Sequence, residues 1–129
     1  MMHLRVYYDD TDAGGIVYHA NYLKFIERAR SELFFSIGQN PMDETGHFVV
    51  RRITSDFIAS AKLGDELDVA TYLGKLGGAS CTLVQEIFRG KEIIFRAVVE
   101  IAHLSGDKVS RIPSRRKSVL EALETRPLD

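Results

Sequence analysis

Apolar and polar residues alternate over residues 3–8, with Leu4, Val6 and Tyr8 on one side and His3, Arg5 and Tyr7 on the other. A period of two predicts a first strand. Over residues 20–37 the period lengthens. Tyr22, Phe25, Ile26, Ala29, Leu33 and Ile37 recur every three or four positions, which predicts a helix with an apolar stripe. Leu23, Phe34 and Phe35 widen that stripe, so the helix is expected to lie deep and be touched on more than one side. Asn21 or Ala20 is the expected start, and Gly38 suits a left-handed end.

Residues 39–46 are turn chemistry, and the pattern is then β-like to about residue 104. Strands are expected over residues 47–59, with a bulge near Arg51 and Arg52, then over 67–73, 79–88 and 93–104. Leu63-Gly64-Asp65, Gly77-Gly78 and Arg89-Gly90-Lys91 supply the turns. The last strand is apolar on both faces, and such a strand needs a cover on each side. One long helix covers one face, so a second subunit is expected on the other. Ser105-Gly106-Asp107 closes the sheet, and Ser114 is expected to cap a short amphipathic helix through Val119, Leu120 and Leu123. The reading is a single α+β domain over residues 1–129, an antiparallel sheet wrapped around one long central helix with a short C-terminal helix.

The connection between the first strand and the helix is longer than a reversal needs. It carries Asp9, Asp10, Asp12, Gly14, Gly15, His19 and Asn21, and chemistry tends to sit on such loops. Any one aspartate is as readily a turn former as a reactive group. Totals add little: 129 residues fit one domain, and a net charge of -1 gives no argument for nucleic-acid binding. A lone cysteine, Cys81, excludes an intrachain disulfide and fits a reducing compartment. No apolar signal segment and no membrane-length apolar run is seen, so neither a signal peptide nor a transmembrane segment is expected. No metal site is expected. Asp10-x-Asp12-x-Gly14 lacks a calcium loop's glutamate, because the twelfth place is Asn21, and the four histidines are too scattered for zinc.

Tyr8-x-x-Thr-Asp-Ala-Gly-Gly-Ile-Val-Tyr-His-Ala-Asn-Tyr, followed by Glu27-Arg28-Ala29-Arg30, resembles the 4-hydroxybenzoyl-CoA thioesterase family of hotdog-fold proteins. Within it, the likeness is to the acyl-CoA thioesterases associated with the bacterial Tol-Pal system. It continues through Asp56-Phe57 and Ala61-x-x-Gly64-Asp65-x-Leu67. The resemblance implies acyl-CoA thioester hydrolysis without a cofactor, in a cytoplasmic homodimer that often pairs into a homotetramer. It places the catalytic carboxylate at Asp12, as nucleophile or general base, and a carbonyl-polarising main-chain N–H at His19. That N–H belongs to a helix start, where unpaired amides and the helix dipole favour negative charge. Asp12 is thus expected to face the pocket into which those amides point.

His19 is a candidate catalytic side chain, with a merely structural role open beside it. Gly14 and Gly15 are expected to admit substrate against the backbone. Tyr18, Asn21 and Tyr22 are candidates for substrate binding, though Asn21 equally caps the helix and the tyrosines equally fill core. Tyr7, Phe25, Phe48 and Phe57 are further candidates to narrow the acyl slot. Glu27 is read as holding an arginine, Arg30 or Arg51, or as solvated. Arg115, Arg116 and Lys117 are candidates for coenzyme A phosphates, against a solvated basic helix start. Two alternatives stay open: a non-catalytic module binding acyl-CoA or acyl carrier protein, and an aryl- or naphthoyl-CoA hydrolase of the same family.

Overall fold

The computed structural model describes all residues, 1–129. The chain runs β1 (Met2–Arg5), α1 (His19–Phe35), β2 (His47–Phe57), β3 (Glu66–Leu76), β4 (Ser80–Arg89), β5 (Glu92–Ser105), β6 (Lys108–Val109) and α2 (Ser114–Glu121). The sheet is antiparallel with strand order β1-β3-β4-β5-β2, and β6 pairs with the end of β5. This is the expected helix-and-sheet architecture. No helix is long and apolar enough to cross a membrane.

The inward residues of β4 and β5 explain why the helix is central. Cys81, Leu83, Ile87, Phe95, Ala97, Val99 and Ile101 form one core cluster with Phe25, Ile26, Ala29 and Phe34 of α1. Gln85 interrupts the apolar row and is fully buried. Its Nε2 donates to the Ile26 carbonyl at 2.9 Å and to Thr71 Oγ1 at 3.0 Å, tying the middle of α1 to the sheet. The helix starts one residue earlier than expected, at His19, and its regular part ends at Phe35. Gly38 then closes the turn with φ 78°, and the Gln39 N–H reaches back to the Phe34 carbonyl at 2.9 Å. Phe35 and Ile37 are exposed, so the stripe is narrower at its C-terminal end than its composition suggests.

Three other boundaries differ. β1 is shorter than its alternation implies, because Tyr8–Asp10 fold into a 3-10 turn that leaves Tyr8 exposed. The residue capping α2 is Pro113, with Ser114 already inside the helix. The bulge in β2 falls where expected, with the register shifting between Val50 and Arg52.

Part of the sheet's second face is covered by the chain itself. Ala70, Val84 and Ala102 are buried yet lie outside the cluster around α1. The chain's own C-terminal tail crosses that outer face. Glu124 and Arg126 bond the Leu73 backbone at 2.9 Å each, and the Arg126 guanidinium lies 3.9 Å over the Tyr72 ring. Arg96 of β5 donates to the Pro127 carbonyl at 3.0 Å. The eight residues after α2 therefore cover part of the face on which a second subunit was expected.

Candidate active site

Residues 11–17 form a tight hairpin ahead of α1. Thr11 bridges Val17, the Asp12 N–H donates to the Ile16 carbonyl at 3.0 Å, and the Gly15 N–H donates to the Asp12 carbonyl at 3.0 Å. The turn needs a left-handed residue, and Gly15 supplies it at φ 80°. The hairpin docks on the loop after β2: the Val17 N–H donates to the Ala61 carbonyl at 2.9 Å, and Ile16 bridges Lys62. That second loop is the Ala61-x-x-Gly64-Asp65 motif. Its Asp65 carboxylate accepts from the Lys62 N–H at 2.9 Å and pairs with Arg89 at 3.1 Å, so the two motifs build one platform.

The three aspartates separate cleanly. Asp10 is buried, and both oxygens are used: Oδ2 accepts from the Tyr7 N–H at 2.9 Å, and Oδ1 accepts from the Asn21 amide at 3.1 Å. Asp10 is a structural anchor. Asp9 is exposed. Asp12 is exposed, its Oδ1 accepts from the Gly14 N–H at 2.8 Å, and its Oδ2 accepts no bond within the chain. Gly14 permits this closeness, since a Cβ there would sit 3.3 Å from Asp12 Oδ1.

The start of α1 carries no capping side chain and no acidic residue in its first turn. The Asn21 N–H folds back on the Tyr18 carbonyl at 2.8 Å, while those of His19 and Ala20 have no acceptor in the chain. Orphan amides of this kind, with the dipole behind them, attract negative charge. The His19 ring is exposed and makes no hydrogen bond within the chain. It lies 4.5 Å from the Tyr18 ring and 6.4 Å edge-on from the Phe57 ring, centroid to centroid. Tyr18 is 46% and Phe57 52% exposed, so an open aromatic surface adjoins the free amides.

Several candidates are placed otherwise than expected. Asn21 does not cap the helix; it sits buried in the first turn and holds Asp10. Tyr22 is 4% exposed, stacked on Phe95 at 5.3 Å, with its hydroxyl accepting from the Ala61 N–H at 3.0 Å. It belongs to the core and carries the platform rather than an acyl group. Phe25 is fully buried and Phe48 packs on His103, which leaves Tyr18 and Phe57 as the aromatics beside His19. Arg116 is fully buried: it pairs with Asp43 at 2.8 Å and donates to the Gly46 carbonyl at 2.9 Å. It is therefore unavailable to a phosphate. Arg115 is half-exposed and also pairs with Asp43, and Lys117 is half-buried. Asp12 lines none of the three cavities that flank α1, β1 and β2, and its carboxylate is exposed at the hairpin.

Residues 14–94 match the thioesterase superfamily, a segment that opens two residues after Asp12. Over 87 residues the chain is 51% identical to the acyl-CoA thioesterase YbgC of Helicobacter pylori, covering 67% of this chain and 65% of that protein, a little under two thirds of its length. It is 41% identical over 103 residues to the acyl-CoA thioesterase YbgC of Haemophilus influenzae, covering 77% and 76%. In three dimensions it is similar to a probable thioesterase from Bartonella henselae, with TM-score 0.83, 36% identity, and 87% and 97% of the two chains covered. The chain belongs to the thioesterase superfamily and has the hotdog fold.

Proposed function

We propose that this chain hydrolyses the thioester of acyl-CoA to a free acid and coenzyme A, with Asp12 as its reactive group. The observation that carries the reading is that one connection holds an unengaged carboxylate oxygen, Asp12 Oδ2, and ends in the open amides of His19 and Ala20. Family membership and the names of the two bacterial relatives support the substrate class.

Two routes use the same atoms. Asp12 Oδ2 attacks the carbonyl carbon, the C–S bond breaks, and the resulting mixed anhydride is cleaved by water. Alternatively, Asp12 takes a proton from a water that attacks directly. Both develop negative charge on the carbonyl oxygen, and a main-chain donor there is typically worth about 3–4 kcal/mol of barrier. The thiolate leaves without a strong general acid. Gly14 fixes Oδ1 and leaves Oδ2 free to react.

The exposure of Asp12 requires a further wall for the acyl slot. A second copy of this chain supplies it in our reading, as a homodimer or a dimer of dimers, in the compartment where acyl-CoA is made, the cytoplasm. Thiol release measured across acyl-CoA chain lengths, aryl-CoAs and acyl carrier protein tests the proposal. Asp12→Asn is expected to abolish turnover with an unchanged melting temperature. Near-normal turnover in that variant rejects the mechanism. Saturable binding with no turnover in the unaltered protein establishes a binding module instead.

A further inference from the structure

Two aromatic contacts set the direction in which β2 runs past the helix. At the start of α1 the His19 ring lies 6.4 Å from that of Phe57, the last residue of β2. Toward the other end of α1 the Phe34 ring lies 6.0 Å from that of Phe48, the second residue of β2. Between these contacts the helix and the strand enclose an open groove of about 580 Å³. Leu23 and Ile53 line it near the Phe57 end, and Leu23 stands about one turn along the helix from His19. His47, Phe34 and Phe48 line its far end, with Arg30 and Ser31 on the helical wall before them. The groove therefore extends along α1 from the amides proposed to hold the thioester carbonyl.

Most of the lining is apolar, and Arg30 is the charged group drawn into it. It is half-buried, and its one hydrogen bond within the chain runs from Nη1 to Oε1 of the buried Gln85 at 2.9 Å. No carboxylate of the chain pairs with it. Burial, opposed by the charge of nearby Glu27, pulls its pKa below the ordinary arginine value. A guanidinium taken from water against one neutral amide is costly unless an anion completes it. Gln85 fixes one edge of the fork and leaves its other donors to whatever enters the groove. Glu27 is exposed and does not supply that anion. Lys24, exposed one turn before it, offsets its charge, so Lys24, Glu27 and Arg30 together leave the helical wall positive.

The spacing selects what can reach Arg30. Eleven positions separate it from His19, about 16 Å along the axis. A helical side chain lies over the turn before its own Cα, which returns the guanidinium by about 5 Å. About 11 Å then remain, and an extended hydrocarbon advances roughly 1.3 Å per bond of about 1.5 Å. We propose that the groove takes the distal part of the acyl chain and that Arg30, held by Gln85, selects acyl groups of about eight to ten carbons that end in a second carboxylate. This assignment rests on the hydrolase reading above and names its substrate class, the coenzyme A monothioesters of medium-chain dicarboxylic acids.

Thiol release with two pairs of substrates tests it: decanedioyl-CoA against decanoyl-CoA, and succinyl-CoA against butyryl-CoA. In the unaltered protein kcat/KM for decanedioyl-CoA is expected to exceed that for decanoyl-CoA at least about tenfold, because the shorter-of-charge substrate leaves the guanidinium unpaired. The short pair shows no such ratio, since the succinyl carboxylate ends well before Arg30. Arg30→Met keeps the length of the side chain and removes its charge, and it brings the long-chain ratio to one or below. Arg30→Lys keeps the charge without the fork and gives an intermediate ratio. Where circular dichroism shows that Arg30→Met does not fold, the lowered ratio of Arg30→Lys carries the test. A long-chain ratio near one in the unaltered protein, a ratio that survives in folded Arg30→Met, or an equal preference within the short pair overturns the assignment and leaves the hydrolase reading standing. Absence of thiol release from all four substrates overturns that reading, and the assignment with it.

Discussion

The side-chain amide of Asn21 donates to Oδ1 of Asp10 at 3.1 Å, and this buried bond joins the first turn of α1 to the 3-10 turn that leads into the Asp12 hairpin. A second link lies beside it, from the Tyr18 N–H to the Asp10 carbonyl at 2.9 Å. Together they fix the distance between the free amides and the free carboxylate. Asn21→Ala leaves Asp10 Oδ1 buried without a donor, which costs about 1–3 kcal/mol. We expect a lower melting temperature and, at a temperature where the variant is fully folded, a kcat reduced roughly tenfold or more with KM little changed, since misplacement acts on the reacting geometry. Asn21→Asp sets two carboxylates together and is expected to be worse on both counts. A variant with lower stability and full kcat confines the bond to folding.

Phe57 closes β2 with its ring 5.2 Å from Phe95 and 6.4 Å from His19, and half of it is exposed. It therefore rests on the core and presents an apolar face beside the amides proposed to hold the carbonyl. Phe57→Ala is expected to widen the acyl slot. The ratio of kcat/KM for bulky aryl-CoA to that for short acyl-CoA should rise about tenfold, the scale at which hydrophobic pockets discriminate. Thiol release with both substrates measures the ratio, and an unaltered ratio removes Phe57 from the slot.

Periodicity carried most of the frame and little of the site. The strands from residue 47 to 105 and the long helix are legible because each turns at least one face to the core, and burial writes a period or an apolar run into the chain. The tail is not legible, because Arg126 and Leu128 sit in a stretch with no period and act through a ring stack and backbone carbonyls. Arg115-Arg116-Lys117 reads as a basic helix start in one dimension. Only the fold brings Asp43 to it and sinks Arg116 completely. Tyr22 and Asn21 lie inside the motif that marks the site, and motif membership alone does not tell a residue that faces a substrate from one that supports those that do. Asp12 is set apart from Asp10 by exposure and by hydrogen bonds, which spacing cannot show.

Arg116 holds a corner where three segments meet. Besides Asp43 and Gly46 it donates to the Asn40 carbonyl at 3.3 Å, and its Nη1 lies 3.5 Å from His103 Nε2. Arg116→Met leaves the Gly46 and Asn40 carbonyls without their arginine donor and Asp43 with Arg115 and Thr45 alone, and a buried acceptor that loses its donor costs about 1–3 kcal/mol. Urea unfolding is expected to show a midpoint lowered accordingly. Arg116→Lys keeps the charge and loses the fork, so it should fall between. Its KM for acyl-CoA is expected to be unchanged, and a raised KM in the folded Lys variant would return this residue to coenzyme A binding.

His103 gives the fold a pH dependence. The ring is fully buried on β5, with Nδ1 2.8 Å from Ser110 Oγ. Burial first, then the charges of Arg116 and His47, push its pKa below the ordinary 6.5, with Asp43 opposing. The unfolded chain accepts this proton near pH 6.5, the folded chain only at lower pH. Between those values the unfolded state binds more protons. Stability is therefore full above about pH 6.5 and declines as the pH falls below it, by at most about 1.4 kcal/mol per pH unit. His3, exposed on β1, works in the opposite direction, because its bonds to Asp68 and Glu66 raise its pKa. Comparing the protein with its His103→Gln variant cancels that contribution. Calorimetry from pH 7.5 to 5 is expected to show the melting temperature of the unaltered protein falling more steeply than that of the variant. Parallel curves would mean that the buried ring takes up its proton in the folded state as readily as in the unfolded chain.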